Sequence, residues 1–122
     1  MRILKCMSCG NIITTLKEGT GSLICCGKEM VELKANTTDA AVEKHVPVVS
    51  IDGSKVTVTC GEVLHPMEEA HYIEFMILET NQETKYQYLH PGEEPVCHFT
   101  LGEGETVVSA YAYCNLHGLW KK

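Results

Sequence analysis

No apolar run in this chain is long enough to cross a bilayer: Phe75-Met76-Ile77-Leu78 is among the longest, where a spanning helix needs about 20 residues. No apolar segment of signal-peptide length precedes Cys6. A basic stripe is missing as well. The 10 lysines and arginines are interspersed among 16 aspartates and glutamates, giving a net charge of −6, so nucleic acid is not an expected partner. There is no internal repeat, no low-complexity segment and no convincing helical period. These absences leave a soluble cytoplasmic protein, at 122 residues one ordinary domain or a small one beside a module too short to fold unaided.

Metal-ligand residue types are abundant instead. Seven cysteines and six histidines in a cytoplasmic chain argue for metal or redox chemistry, and the odd cysteine count weakens a disulfide framework further. Residues 1–34 carry Cys6, Cys9, Cys25 and Cys26. Their apolar content (Ile12, Ile13, Leu16, Leu23, Ile24) is too small to outweigh chain entropy without a staple. The polar stretch 35–41 reads as a linker. From Val42 to Lys122 the pattern is of strands, rich in β-branched and aromatic residues: 46–51, 55–60, 72–79, 85–89, 96–101, 106–113 and 119–122. Asp52-Gly53-Ser54 signals a hairpin, and Pro91-Gly92 and Gly102-Glu103-Gly104 punctuate later strands. In the 106–114 stretch, Val108, Ala110, Ala112 and Cys114 share one face. About seven short strands with frequent turns predict an all-β chain ending in a β-sandwich.

Two constellations carry chemistry. Cys6-x2-Cys9 is a knuckle whose following Gly10 permits a turn with amides facing sulfur. The adjacent pair Cys25-Cys26 supplies two more thiolates, and four suit zinc or a single iron in a sulfur tetrahedron. Consecutive side chains of an extended chain point apart, so distortion is expected there. In the second half, Cys114-x2-His117 offers sulfur and imidazole one turn apart, with the amides of Leu116 and His117 placed to donate to the sulfur. Pro66 biases His65 toward extended geometry, His71 lies six residues on, and His45 lies upstream. Four imidazoles and one thiolate exceed what structural zinc needs and suit an iron with one position open to a small molecule. His90 and His98 cluster with nothing and are read as non-ligands. Cys60 and Cys97 lie within strands and read as small buried apolar groups.

Together these motifs resemble the desulfoferrodoxin family, the two-iron class of superoxide reductase, over nearly the whole chain. Cys6, Cys9, Cys25 and Cys26 match the ligands of a desulforedoxin-like, rubredoxin-related Fe(Cys)4 module. Residues 42–122 are similar to the catalytic domain shared with neelaredoxin, a seven-stranded immunoglobulin-like sandwich. Glu43-Lys44-His45, His65-Pro66-Met67 through His71, and Cys114-Asn115-Leu116-His117-Gly118 carry that likeness. The resemblance implies two mononuclear non-haem irons, with zinc an alternative in the first site. The catalytic iron would lie between four equatorial histidines (His45, His65, His71, His117) and axial Cys114. Its sixth position would be open when ferrous and closed by Glu43 when ferric, and Lys44 would attract superoxide and organise protons. It further implies one-electron reduction of superoxide to hydrogen peroxide, a rubredoxin-like electron donor, a homodimer and an anaerobic host. Simple electron transfer through a saturated second iron, and dismutation with oxygen release, are the competing readings.

Overall fold

The computed structural model describes every residue from Met1 to Lys122, and the chain divides between Lys34 and Ala35 into two units. The first contains β1 (Ile3–Lys5), β2 (Ile12–Thr14), β3 (Ile24–Cys25), β4 (Lys28–Glu29) and β5 (Val31–Glu32). β1 is the centre of an antiparallel sheet ordered β2-β1-β5, and β3 and β4 form a separate hairpin. Only Ile3, Leu4 and Cys6 are buried in this unit, while Leu16 and Ile24 face solvent. Strands of two or three residues over so small a core cannot offset an ordering cost of about 1–2 kcal/mol per residue. The unit requires a staple.

The second unit opens with α1 (Val42–His45) and continues through β6 (Pro47–Asp52), β7 (Lys55–Cys60), β8 (Ile73–Thr80), β9 (Thr84–Tyr88), β10 (Val96–Thr100), β11 (Val107–Cys114) and β12 (Gly118–Lys121). The helical turn corrects the expectation of a chain without helix. Four residues hold barely one 3.6-residue period, so no hydrophobic pattern could announce it. The seven strands form two antiparallel sheets, β10-β7-β6 and β12-β11-β8-β9. This is the immunoglobulin-like sandwich. Gly53, at φ 60°, turns the β6–β7 hairpin so that Asp52 faces Lys55. Asn36, in the stretch expected as a linker, is tied to β12: its amide donates to Leu119 O (3.0 Å), and its side chain exchanges hydrogen bonds with Lys121 O (3.0 Å) and N (2.9 Å). No helix is long and apolar enough to cross a membrane.

The core follows from alternation. Val56, Val58 and Cys60 of β7, Cys97 and Phe99 of β10, Met76 and Leu78 of β8, and Ala110, Ala112 and Cys114 of β11 form one buried cluster. Small alanines on β11 admit the larger side chains opposite, at interior density. The outer face of β11 is covered too, since Tyr113 stacks on Phe75 with ring centroids 5.1 Å apart and Lys121 lies over the Tyr111 ring. The last inward residue of the β11 row is Cys114. At the opposite end of β11, buried Glu105 accepts from Thr80 Oγ1 (2.6 Å), the Gly102 amide (2.8 Å) and Lys85 Nζ (3.1 Å). Lys85 also donates to Thr100 O.

The Thr80 hydroxyl above all, then the Gly102 amide and Lys85, hold the Glu105 carboxyl down at about 2, against an ordinary 4.5. A carboxyl depressed in the fold contributes stability that is present above its unfolded value and lost as pH falls through the folded one. Glu105→Gln is therefore expected to be less stable than the parent at neutral pH. Their difference should shrink as pH falls from 4.5 toward 2, which thermal unfolding of the pair across that range will check.

Candidate metal centres

In the first unit, Cys6-Met7-Ser8-Cys9 forms a knuckle closed by Gly10, whose amide donates to Cys6 O at 2.9 Å with φ 86°. The Cys9 amide points at Cys6 Sγ (3.5 Å). The adjacent cysteines converge by a specific local device. Cys25 pairs with Lys28 across a two-residue turn in which Cys26 (φ 52°) and Gly27 (φ 73°) both have positive φ, as a type I′ hairpin turn requires. This left-handed bend swings two neighbouring thiols to one side, which an extended dipeptide cannot do. It costs strain at Cys26, a non-glycine residue. The sulfurs of Cys6, Cys9, Cys25 and Cys26 lie within 4.8 Å of one another, with Cys9 and Cys25 3.6 Å apart. Asn11 Nδ2 lies 3.7 Å from Cys25 Sγ.

Without a cation these thiols frustrate each other's ionisation. The amides of Cys9 and Ser8 hold Cys6 down at about 6, whereas the neighbouring thiols, Cys9 foremost, push Cys26 up to about 12. A bound cation reverses that penalty, since a coordinating thiol is deprotonated outright. The four sulfurs fit one tetrahedral metal.

In the second unit five ligand atoms meet, again within 4.8 Å of one another: those of His45, His65, His71, Cys114 and His117. His45 ends α1 and is 3% exposed. His65 follows β7, its amide bonded to Cys60 O (2.9 Å). His71 pairs with Glu68 through a two-bond bridge. Cys114 ends β11, and His117 stands in the tight turn where Cys114 pairs with Gly118. The four rings form a circuit in the order His45, His65, His71, His117. Adjacent centroids are 4.6, 4.6, 5.1 and 4.9 Å apart, while the His45–His71 diagonal is 6.4 Å. Tetrahedral ligands would be mutually equidistant; a longer diagonal marks a near-square. Adjacent planes cross at 75–87°, as rings presenting nitrogen edges to a common centre must.

The tautomers show that this square is built for a cation. His45 Nδ1 lies 2.7 Å from Ala41 O and His65 Nδ1 lies 2.7 Å from Pro66 O. A carbonyl can only accept, so both Nδ1 atoms carry the proton and both Nε2 atoms present lone pairs. Those two lone pairs face each other at 3.1 Å, a repulsive contact unless a positive ion lies between them. His71 Nε2 is buried with no hydrogen-bond partner. Burial lowers His45, His65 and His71 alike, His65 to about 4, so each is a neutral ligand at physiological pH. Burial raises Cys114, while the amides of His117 and Leu116 pull it back toward thiolate. The chemistry of the set, a square of imidazoles with one thiolate, fits iron better than structural zinc.

Two residues missed in the sequence hold this geometry. Trp120, 1% exposed, stacks on His45 (4.8 Å, 29°) and donates from Nε1 to His117 O (3.1 Å). Asn115 brackets His71: its Oδ1 accepts from the Tyr72 amide (2.9 Å), its Nδ2 donates to Ala70 O (3.1 Å), and its own amide donates to Tyr72 O (3.2 Å). One ligand motif thus aligns another. Asn115→Ala is expected to weaken metal binding at the histidine site by about 10- to 100-fold, measured by chelator competition with the four-cysteine site as internal reference. Asn115→Asp, which keeps the acceptor for Tyr72, should fall between.

The remaining sequence candidates are not among the grouped ligand atoms. His90 is exposed and bonded to Glu93 (2.8 Å), and exposed His98 lies 3.3 Å from Thr57 Oγ1. Cys60 and Cys97 are fully buried in the core. Glu43 and Lys44 are exposed on α1. The Glu43 carboxylate is not among the grouped ligand atoms. Residue Glu43 lines a cavity of about 330 Å³ with Val46, Pro47, Val48, Glu62 and Lys122.

Comparison with known proteins agrees with both clusters. The family model described as desulfoferrodoxin matches residues 37–122, and that of the desulfoferrodoxin N-terminal domain matches residues 1–33. A desulfoferrodoxin homolog of Archaeoglobus fulgidus is 47% identical over 121 residues, covering 99% of this chain and 95% of its own. The desulfoferrodoxin of Nitratidesulfovibrio vulgaris is 44% identical over 119 residues, covering 98% and 93%. The crystal structure of the superoxide reductase from Treponema pallidum superposes with a TM-score of 0.82 at 33% identity, covering 98% of each chain. With a sulfur cluster in one unit, a square of imidazoles over a thiolate in the other, and matches across both, this chain belongs to the desulfoferrodoxin family.

Proposed function

We propose that the protein is a superoxide reductase, catalysing one-electron reduction of superoxide to hydrogen peroxide at the His45-His65-His71-His117-Cys114 centre. The observation that carries this reading is the near-square of four neutral imidazoles with a fifth, sulfur ligand, in a group that contains no sixth protein donor. When bound there, ferrous iron supplies the electron that, with two protons, turns superoxide into hydrogen peroxide. The imidazoles contribute no charge and the thiolate contributes one negative charge, so the loaded site keeps a net positive charge that attracts an anion. Lys44, exposed beside His45, adds a second positive charge at the surface and orders water through which protons can arrive. Glu43 would cap the oxidised site, reaching it by rotation from the cavity it lines. The Cys114 sulfur would donate electron density to a metal held by these five residues.

The four-cysteine site would hold the second iron as an auxiliary. All seven cysteines are unpaired, which supports a reducing, cytoplasmic compartment. A rubredoxin-like electron donor and a homodimeric state are carried over from the family resemblance. The decisive experiment mixes ferrous protein with superoxide while following peroxide and oxygen. One peroxide per electron, with no oxygen released, is expected. Oxygen evolution without a reductant would indicate dismutation, and an unchanged spectrum would indicate an electron-transfer protein.

A further inference from the structure

Gly61 belongs to none of the metal motifs, yet it meets the backbone of the Glu43-Lys44 turn at closer range than any side chain permits. A Cβ at position 61 would stand 2.5 Å from Glu43 O, 2.8 Å from Lys44 C and 3.1 Å from Glu43 C. These are main-chain atoms, so no rotamer change relieves the overlap. The φ of Gly61 lies outside the left-handed region, so space is what demands glycine here. Its neighbours complete the contact. The Cys60 thiol lies 3.4 Å from Lys44 O and 3.2 Å from His45 O, where its S–H can donate to either, and the Val63 amide donates to Glu43 O at 3.0 Å. Three consecutive carbonyls of the turn that carries Glu43, Lys44 and His45 are therefore received by one segment, Cys60–Val63.

We propose that this segment is a seat that sets where Glu43 and Lys44 stand, with Gly61 as the positioning residue. The bare Cα lets the α1 backbone lie flush against the end of β7. Any side chain at 61 lifts that backbone, and the Glu43 carboxylate and Lys44 ammonium with it. The thiol and the amide hold the turn down. The inference rests on the reading of Glu43 as the cap of the oxidised site: a lifted Glu43 no longer competes with added anions.

The test is an azide titration of ferric protein, read from the visible spectrum, for the parent, Glu43→Ala, Gly61→Ala and the double variant. Far-ultraviolet circular dichroism and the iron content of the histidine site serve as folding controls for the second unit, which holds both substitutions. Gly61→Ala is expected to tighten azide binding about tenfold and to add less than about twofold on top of Glu43→Ala, because both act through one carboxylate. If Glu43→Ala tightens binding and Gly61→Ala does not, the seat is overturned while the cap stands. Fully additive effects in the double variant also overturn it. If Glu43→Ala itself changes nothing, the cap reading fails and the seat falls with it. Should Gly61→Ala fail to retain its irons, Cys60→Ala, which removes the thiol contacts without adding volume, takes its place. Tighter azide binding then supports the seat, and parental affinity overturns it.

Discussion

Cys114→Ser is expected to abolish superoxide reduction while leaving the four-cysteine iron in place. Cys114 is fully buried at the inner end of β11, its backbone fixed by pairing to Ile73 on one side and Gly118 on the other. The strand cannot move to compensate for a shorter side chain. Serine substitutes a hard alcohol, far harder to ionise, for a soft thiol that burial pushes up and the amides of His117 and Leu116 only partly pull back toward thiolate. The histidine square survives, because His45, His65 and Trp120 are held by contacts that do not involve Cys114. Metal binding should weaken, yet the larger loss is of the electron density that makes the centre a reductant. Stopped-flow mixing with superoxide checks the rate, and the visible spectrum reports both sites separately. Turnover within about tenfold of the parent would show that the sulfur is dispensable, a smaller loss than removal of even one preorganised catalytic donor usually brings.

Lys44→Ala is expected to slow the encounter with superoxide by about tenfold at low salt, the lower end of what focused charge achieves. The protein carries a net charge of −6, which repels an anion at long range. Local positive charge must outweigh it close to the site. Lys44 is exposed and one residue from His45, so its removal takes away positive charge close to the loaded centre. The difference should narrow as salt rises, because screening acts over about 10 Å at 0.1 M, and Lys44→Arg should restore most of the rate. Second-order rate constants against ionic strength for the three proteins supply the measurement. Parallel lines at all salt concentrations would remove Lys44 from steering.

Much of the fold was legible because its signals are periodic. Alternation placed Ala110, Ala112 and Cys114 on the face of β11 that is buried, but Val108, expected on the same face, is 62% exposed because the register shifts between Val107 and Ser109; the Gly53 turn identified the β6–β7 hairpin. The two residue groups that the fold brings together were legible because cysteine and histidine are rare and stand close within each motif, as in Cys6-x2-Cys9 and Cys114-x2-His117. What escaped notice depends on contacts between distant segments. Trp120 reads as one more strand aromatic until His45, seventy-five positions earlier, is seen beneath it. Asn115 reads only as a motif position, since hydrogen bonds to Ala70 and Tyr72 leave no trace in local pattern. Gly61 offers no periodicity at all. Its importance is a missing volume, visible only once Glu43 is beside it. The convergence of Cys25 and Cys26 was puzzling for a related reason: neighbouring thiols meet only because a non-glycine residue takes a left-handed conformation.

The stacking of Trp120 on His45 gives the molecule an optical gauge. It is the sole tryptophan, sealed from solvent and one imidazole away from the fivefold ligand set. Its fluorescence should fall when iron arrives at that set. Loading of one centre can thus be followed in the intact protein without dye, label or isotope.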